Sequence, residues 1–286
     1  MSILRYIKTD ETPEFELLAF YLKRFIPMIQ VEQRGENGIF LWEKTVSSKG
    51  IDLTLESKNW LELRITACSN EHDFEISNYV MRSCVELFGG NIYTDNPDYD
   101  DENPASEEYI VSENPFFPIE EDIEIMKSDA EFIVALIRKY NKPISIYGPA
   151  RRIHFGPHWL STVKGDTSFA WARAIEKTIF KVNNTNPDYG YGNVMETRDK
   201  EEKLTMKLIS NQVNCVIDKY DYILFLTADE ENIAITNDDL NQILPKAWKR
   251  LDEYTIIAPI LPEKEFQALV QKAALVNRIS DFEKGE

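Results

Sequence analysis

Ile51-Asp52-Leu53-Thr54-Leu55-Glu56 and, three residues on, Trp60-Leu61-Glu62-Leu63-Arg64-Ile65-Thr66-Ala67 decide the fold class. Apolar and polar residues alternate along both runs. Successive side chains of a strand point to opposite faces, so this period describes a sheet with one dry face and one wet face. An antiparallel meander with a helix across its dry face accommodates that pattern. Upstream, Met28 to Gln33 and Ile39 to Thr45 read as two further strands, with Gly35, Gly38 and Gly50 at the turns. A helix precedes them: Thr12 caps it, Pro13 suits the first helical position, Glu14 and Glu16 sit at the positive end of the dipole, and Pro27 stops it. Its apolar stripe is Phe15, Leu18, Leu22 and Phe25. Downstream, a helix from Glu71 to Phe88 closes at Gly89-Gly90, so residues 1–92 form an α-β-β-β-β-α unit.

Residues 93–117 carry Pro97, Pro104 and Pro115 among many acids and read as an irregular acidic connection. Residues 118–286 form a second mixed unit. Ile119, Ile123, Met126, Ala130, Ile133, Ile137 and Tyr140 mark one helical face, which a capping box at Ser128 and Glu131 could split. Pro143 ends it, and two short strands follow, Ile144 to Tyr147 and Arg152 to Phe155, joined through Gly148-Pro149. A helix from Asp166 to Val182 leads into the loop Asn186 to Gly192. Leu204, Leu208, Ile209, Val213, Val216 and Ile217 then resume a helical spacing. The remainder predicts a hairpin of Tyr222 to Leu226 with Ile233 to Thr236, a helix from Asn237 kinked at Pro245, a strand Tyr254 to Ala258, and a last helix from Pro262. The predicted class is α+β, with mainly antiparallel sheets covered by helices, in two α/β units.

The chain has 286 residues and a net charge of −17, and that charge is uneven. Residues 95–131 hold fourteen acids and one Lys, a net −13, whereas residues 132–165 hold six basic residues and no acid. Such a balance disfavours a phosphate backbone as partner, so no nucleic acid is expected, and it favours a basic protein partner. Three cysteines, Cys68, Cys84 and Cys215, suit reduced thiols in a cytoplasmic setting better than a disulfide framework. The N-terminal residues show no secretory pattern, and no apolar run is long enough to span a bilayer.

Motifs of established chemistry are missing from the sequence: there is no Gly-rich phosphate loop, no G-x-S-x-G, no H-E-x-x-H and no paired C-x-x-C. His154 and His158 are four apart, but Gly156-Pro157 between them makes a shared helical face improbable. Cys68, His72 and Cys84 match no zinc spacing, and Asp98, Asp100 and Glu102 lack the Gly and the final Glu of a calcium loop. No metal and no cofactor are expected. One stretch does gather chemistry, Tyr147 to Trp159. There, Arg151 and Arg152 supply forked donors for carboxylate or phosphate, and His154 and His158 titrate near neutral pH. Its bland reading is that the two Arg balance neighbouring acids. A second loop, Asp188-Tyr189-Gly190-Tyr191-Gly192, presents aromatics on a flexible support.

In composition the chain resembles the intracellular immunity proteins that neutralise toxins, which are often acidic α+β domains without catalytic motifs. That resemblance implies a protein-binding, immunity- or inhibitor-like module engaging a basic partner through Asp98, Asp100, Asp101 and Glu102. The alternative is an enzyme or small-molecule binder acting on an anionic ligand through Arg151, Arg152, His154 and His158.

Overall fold

The computed structural model describes residues 2–93, 119–199, 202–226 and 232–279, and they form an α+β protein. The four acids Asp98, Asp100, Asp101 and Glu102 lie outside the described residues.

The predicted meander is present as β2 (Ile29–Arg34), β3 (Gly38–Glu43), β4 (Ile51–Ser57) and β5 (Trp60–Ile65). The sheet has six strands, not four, because β1 (Ile3–Lys8) pairs antiparallel with β5 on one side and with β6 (Asn91–Tyr93) on the other. Helices α1 (Phe15–Leu22) and α2 (Glu71–Phe88) cover the dry face, where Leu53, Leu61 and Leu63 are fully enclosed with Leu18, Leu22, Ile76 and Val80. The first helix begins two residues later than expected, with Glu14 in extended conformation and no side-chain cap. Between α2 and β6 the chain passes so close to β1 that a Cβ on Gly90 would lie 1.8 Å from the Lys8 carbonyl oxygen, and Gly90 sits at φ +96°. Only glycine fits there.

In the second half, α3 (Ile119–Tyr140) runs unbroken through Ser128 and Glu131. The two short strands occur where expected, as the hairpin β7 (Ile144–Tyr147) and β8 (Arg152–Phe155). Short α4 (Pro157–Thr162) starts directly at the Gly156-Pro157 break, with Pro157 in the first turn, where its missing N–H costs nothing. Then comes α5 (Ser168–Asn184), capped by the Thr167 side chain.

Strand β9 (Val194–Asp199) follows, where the sequence predicts no element, and the stretch from Leu204 to Ile217, expected to be helical, is instead β10 (Glu202–Ile209) and β11 (Cys215–Ile217). Strand β10 lies between β9 and β12 (Tyr222–Phe225), and the adjacent Met206 and Lys207 are both buried, so the alternation that would mark a strand is erased. The expected hairpin forms between β12 and β13 (Ile233–Ile235). Helix α6 (Asn237–Ile243) stops before Pro245 instead of bending at it, and β14 (Lys249–Arg250) pairs with β15 (Ile256–Ala258) before α7 (Glu263–Ala274). Pairing is antiparallel throughout the described sheets except between β10 and β12.

Helix α3 packs on both halves: Ile125 touches the first core, while Ala130, Ile133 and Ile137 enter a cluster with Ile153, Phe155, Ile175 and Ile179. Two polar contacts cross the same seam. The Cys68 amide donates to Asp129 Oδ2 at 2.9 Å, and the buried Lys49 ammonium donates to the Tyr147 carbonyl. No described helix is long and apolar enough to cross a membrane.

Candidate functional site

The β7–β8 hairpin turns one face inward and the other toward a cleft. Ile153 and Phe155 are fully buried against α3 and α5, and Phe155 meets Trp159 edge-on at 4.7 Å. The opposite face carries two cross-strand pairs, Ser145 with His154 and Tyr147 with Arg152. The turn between the strands closes through Gly148 N–H to the Arg151 carbonyl at 2.9 Å, and Asn183 Oδ1 accepts from the amides of Ala150 and Arg151. A Cβ on Gly148 would lie 2.4 Å from Asn183 Nδ2, so the α5 C-terminus sets the position of this turn.

The four side chains singled out in this stretch have four different fates. Arg151 is buried, and its guanidinium donates to the carbonyls of Val182, Thr185, Asn186 and Tyr189 at 3.1, 2.8, 2.5 and 3.1 Å. Burial holds its pKa below the ordinary arginine range, partly offset by Tyr191. It is a clamp on the end of α5 and the loop after it, with its fork occupied by protein. Arg152 faces the cleft: its guanidinium stacks 5.1 Å from the Tyr147 ring, no carboxylate lies within ion-pair distance among the described residues, and its buried Nε has no hydrogen-bond partner. His154 is fully enclosed. Its Nδ1 is 2.7 Å from Ser145 Oγ, its Nε2 meets Asp218 Oδ1, and its amide donates to Asp252 at 2.8 Å. His158 is apart from these, at the start of α4, lining a separate depression of about 420 Å³ with Arg250, Glu253 and Tyr254.

The cleft encloses about 510 Å³ and is lined by the 147–152 turn, by Tyr191, Val194 and Glu196, by Thr205 of β10, and by Asp218, Lys219 and Tyr220. It therefore brings together the two loops marked in the sequence, with Tyr191 on the same wall as the 147–152 turn. Burial, reinforced by Asp218, raises the phenol pKa of both Tyr191 and Tyr220 above the ordinary range, so both remain hydroxyl donors at neutral pH. Of the two carboxylates on the wall, Glu196 is paired with Lys203 at 2.8 Å and Asp218 accepts from His154 and from the Lys219 amide. Lys219, like Arg152, has no carboxylate within ion-pair distance among the described residues, and its ammonium lies 5.7 Å from the Tyr254 ring centroid. The acids of this wall are answered within the protein, whereas Arg152 and Lys219 meet no carboxylate among the described residues.

Family models, characterised proteins and solved structures give no match to this chain. What the site can do rests on its own geometry. Among the described residues no group of three or more His, Cys, Asp or Glu side chains is placed to hold a metal ion. His72 is turned toward Glu43 and Glu75, at 2.6 and 3.1 Å, away from any shared site with Cys68 and the enclosed Cys84. Asp218, Lys219 and Tyr220 escaped the sequence reading because they follow Val216 and Ile217, whose spacing looked helical. The signal that marks them is the polar run Asp218-Lys219-Tyr220-Asp221 between two apolar triplets, which is the pattern of a strand end.

Proposed function

We propose that this protein binds a small anionic ligand, of phosphate or carboxylate type, in the cleft between the β7–β8 hairpin and the Asp218–Tyr220 loop. The observation that carries this reading is Arg152, a cation lining the cleft beside the Tyr147 ring with no carboxylate within ion-pair distance among the described residues. An oxyanion at the terminal nitrogens of the guanidinium would gain charge-assisted hydrogen bonds that no protein carboxylate supplies there. Lys219 supplies a second positive charge, and the hydroxyls of Tyr191 and Tyr220 supply donors that do not titrate near neutrality. The acids of residues 95–131 play no part in this reading.

The test is a thermal-shift series with phosphate, sulfate and dicarboxylates. An anion present at a hundredfold over its Kd stabilises by about 2.7 kcal/mol, so a clear rise in Tm is expected for the wild type. Arg152→Ala should cut the anion's affinity by tenfold or more while leaving the anion-free Tm nearly unchanged. Arg151→Ala should do the opposite and lower the anion-free Tm sharply, because it removes four hydrogen bonds from a charged donor, by about 3–5 kcal/mol in total. Should no anion raise the wild-type Tm, or should Arg152→Ala respond like wild type, the cleft is not an anion site.

A further inference from the structure

Ser145, His154 and Asp218 form a continuous relay beside the cleft. Ser145 is an exposed residue of β7 whose hydroxyl lies 2.7 Å from His154 Nδ1, His154 is wholly enclosed, and its other ring nitrogen is held by Asp218, which itself lines the cleft wall. Ser145 shares its hairpin face with Tyr147 and is paired directly across from His154. Two residues of strand rise separate Ser145 from Tyr147, so the hydroxyl stands about 7 Å along the strand from the stacked Tyr147–Arg152 pair. A serine hydroxyl, a base within hydrogen-bond reach and a carboxylate that fixes the base's tautomer are the parts of an activated nucleophile.

We propose that Ser145 is the acyl acceptor for a ligand whose anionic group rests on Arg152 and Lys219, an inference that builds on the anion-binding reading of the cleft. The burial of His154 narrows the substrate class. A base enclosed on all sides takes the hydroxyl proton but has no open path to hand it to a departing group, so the leaving group departs as a stable anion. Aryl esters meet that requirement, as do acyl phosphates in their singly charged form, which release hydrogen phosphate, whereas amides and alkyl esters do not. In the step, the Oγ lone pair forms a bond to the acyl carbon and the hydroxyl proton moves to His154 Nδ1. The resulting imidazolium is held at Nε2 by Asp218. The bond from the acyl carbon to the leaving oxygen breaks with its electron pair, releasing hydrogen phosphate or phenolate. Water then adds to the acyl carbon, Ser145 leaves and retrieves the proton from Nδ1, and the carboxylate product carries one proton fewer, lost to solvent.

The experiment incubates the full chain with acetyl phosphate and, separately, with p-nitrophenyl acetate, and maps the acetyl group by peptide mass spectrometry. Acetyl transfer to Ser145 from both donors is expected at a rate at least a hundredfold above that of any other Ser, in line with general-base assistance of about 10²–10⁴. Asp218→Asn, which keeps the shape of the side chain, should slow it tenfold or more, and Ser145→Ala should abolish it at that site. Arg152→Ala should slow transfer from acetyl phosphate alone, because the aryl ester carries no anionic group for the cleft to hold. Labelling of Ser145 by the aryl ester but not by acetyl phosphate would overturn the anionic part of the assignment while sparing the nucleophile. No labelling of Ser145 by either donor, or equal labelling in Asp218→Asn, would overturn the nucleophile itself even if anions still raise the Tm.

Discussion

Lys207 is a central residue of β10, 1% exposed, whose ammonium donates to the Asn193 carbonyl at 3.3 Å and has no carboxylate within ion-pair distance among the described residues. Burial pushes its pKa below the ordinary lysine range, with only the neighbouring Cys215 acting in the other direction. The thiol is itself pushed up by burial and stays neutral, so it offers no counter-charge. The unfolded chain's lysines titrate near 10.4, above the folded value. Between those two values the unfolded state holds the extra proton, so stability rises with pH across that window, and the cost of the buried charge is largest below the folded pKa. Lys207→Met removes the charge at similar length and should stabilise the protein at neutral pH by roughly 1 kcal/mol or more. That advantage should shrink as pH approaches about 10.4. Urea unfolding of both proteins at pH 7 and pH 10 measures the difference; a Met variant less stable than wild type at pH 7 would mean that the bond to Asn193 outweighs the burial.

The N-terminus of α2 joins local signals to the long-range packing of the first unit. Asn70 and Asp73 form a reciprocal capping box, and Asp73, fully buried, also accepts from Ser48 Oγ at 2.8 Å and from the amides of Lys49 and Gly50 at 2.9 Å each. One carboxylate thereby ties the helix to the β3–β4 connection. Asp73→Asn keeps the size but turns an amide NH₂ toward donors, so it should cost about 3 kcal/mol, read as a lower urea midpoint at unchanged slope. Elements with such local marks were legible in the sequence: α2 occupies the expected residues, and so do β7 and β8, fixed by Pro143 and the Gly148-Pro149 turn. Strand β1 was not, because its partners β5 and β6 are more than fifty residues away and nothing within Ile3 to Lys8 announces them. Strands β10 and β11 fall where the spacing predicts a helix, because burial on both faces removes the two-residue period and leaves apolar spacings that a helix also satisfies, and β9 lies in a stretch to which the sequence assigns no element. The candidate site divides the same way. Arg152 and Tyr191 stood out by residue type within loops, whereas Asp218 to Tyr220 were hidden by the misread strands, and the Arg151 clamp depends on carbonyls that no sequence pattern displays.

At the scale of the whole molecule, the question is whether the six-stranded unit and the second half unfold together, and the three thiols are placed to answer it. Cys84 is enclosed in the first core, Cys215 in the core between β11 and α7, and Cys68 packs at the seam with the cluster formed by α3 and α5. All three are free and buried; burial pushes the Cys68 thiol up to about 12 and the Cys84 thiol higher still, so neither reacts until the structure around it opens. The seam is held by α3 packing on both sides, by Asp129 accepting the Cys68 amide, and by the Lys49 ammonium on the Tyr147 carbonyl. Lys49 is buried and its pKa is held down by burial, partly restored by Cys68 and Asp73, so the contact cannot be lost to solvent without opening the loop that carries it. We therefore expect one cooperative unit. In native-state labelling with a thiol reagent at increasing urea, the opening free energies of Cys84 and Cys215 should agree within about 0.5 kcal/mol and fall with the same urea slope. Two independent domains would instead give two free energies and two smaller slopes, since each slope scales with the surface that its own opening exposes. Cys68 separates the remaining cases: labelling ahead of both other thiols would show the seam parting while the two cores stay closed, and labelling in step with them would show that α3 holds the halves together until global unfolding.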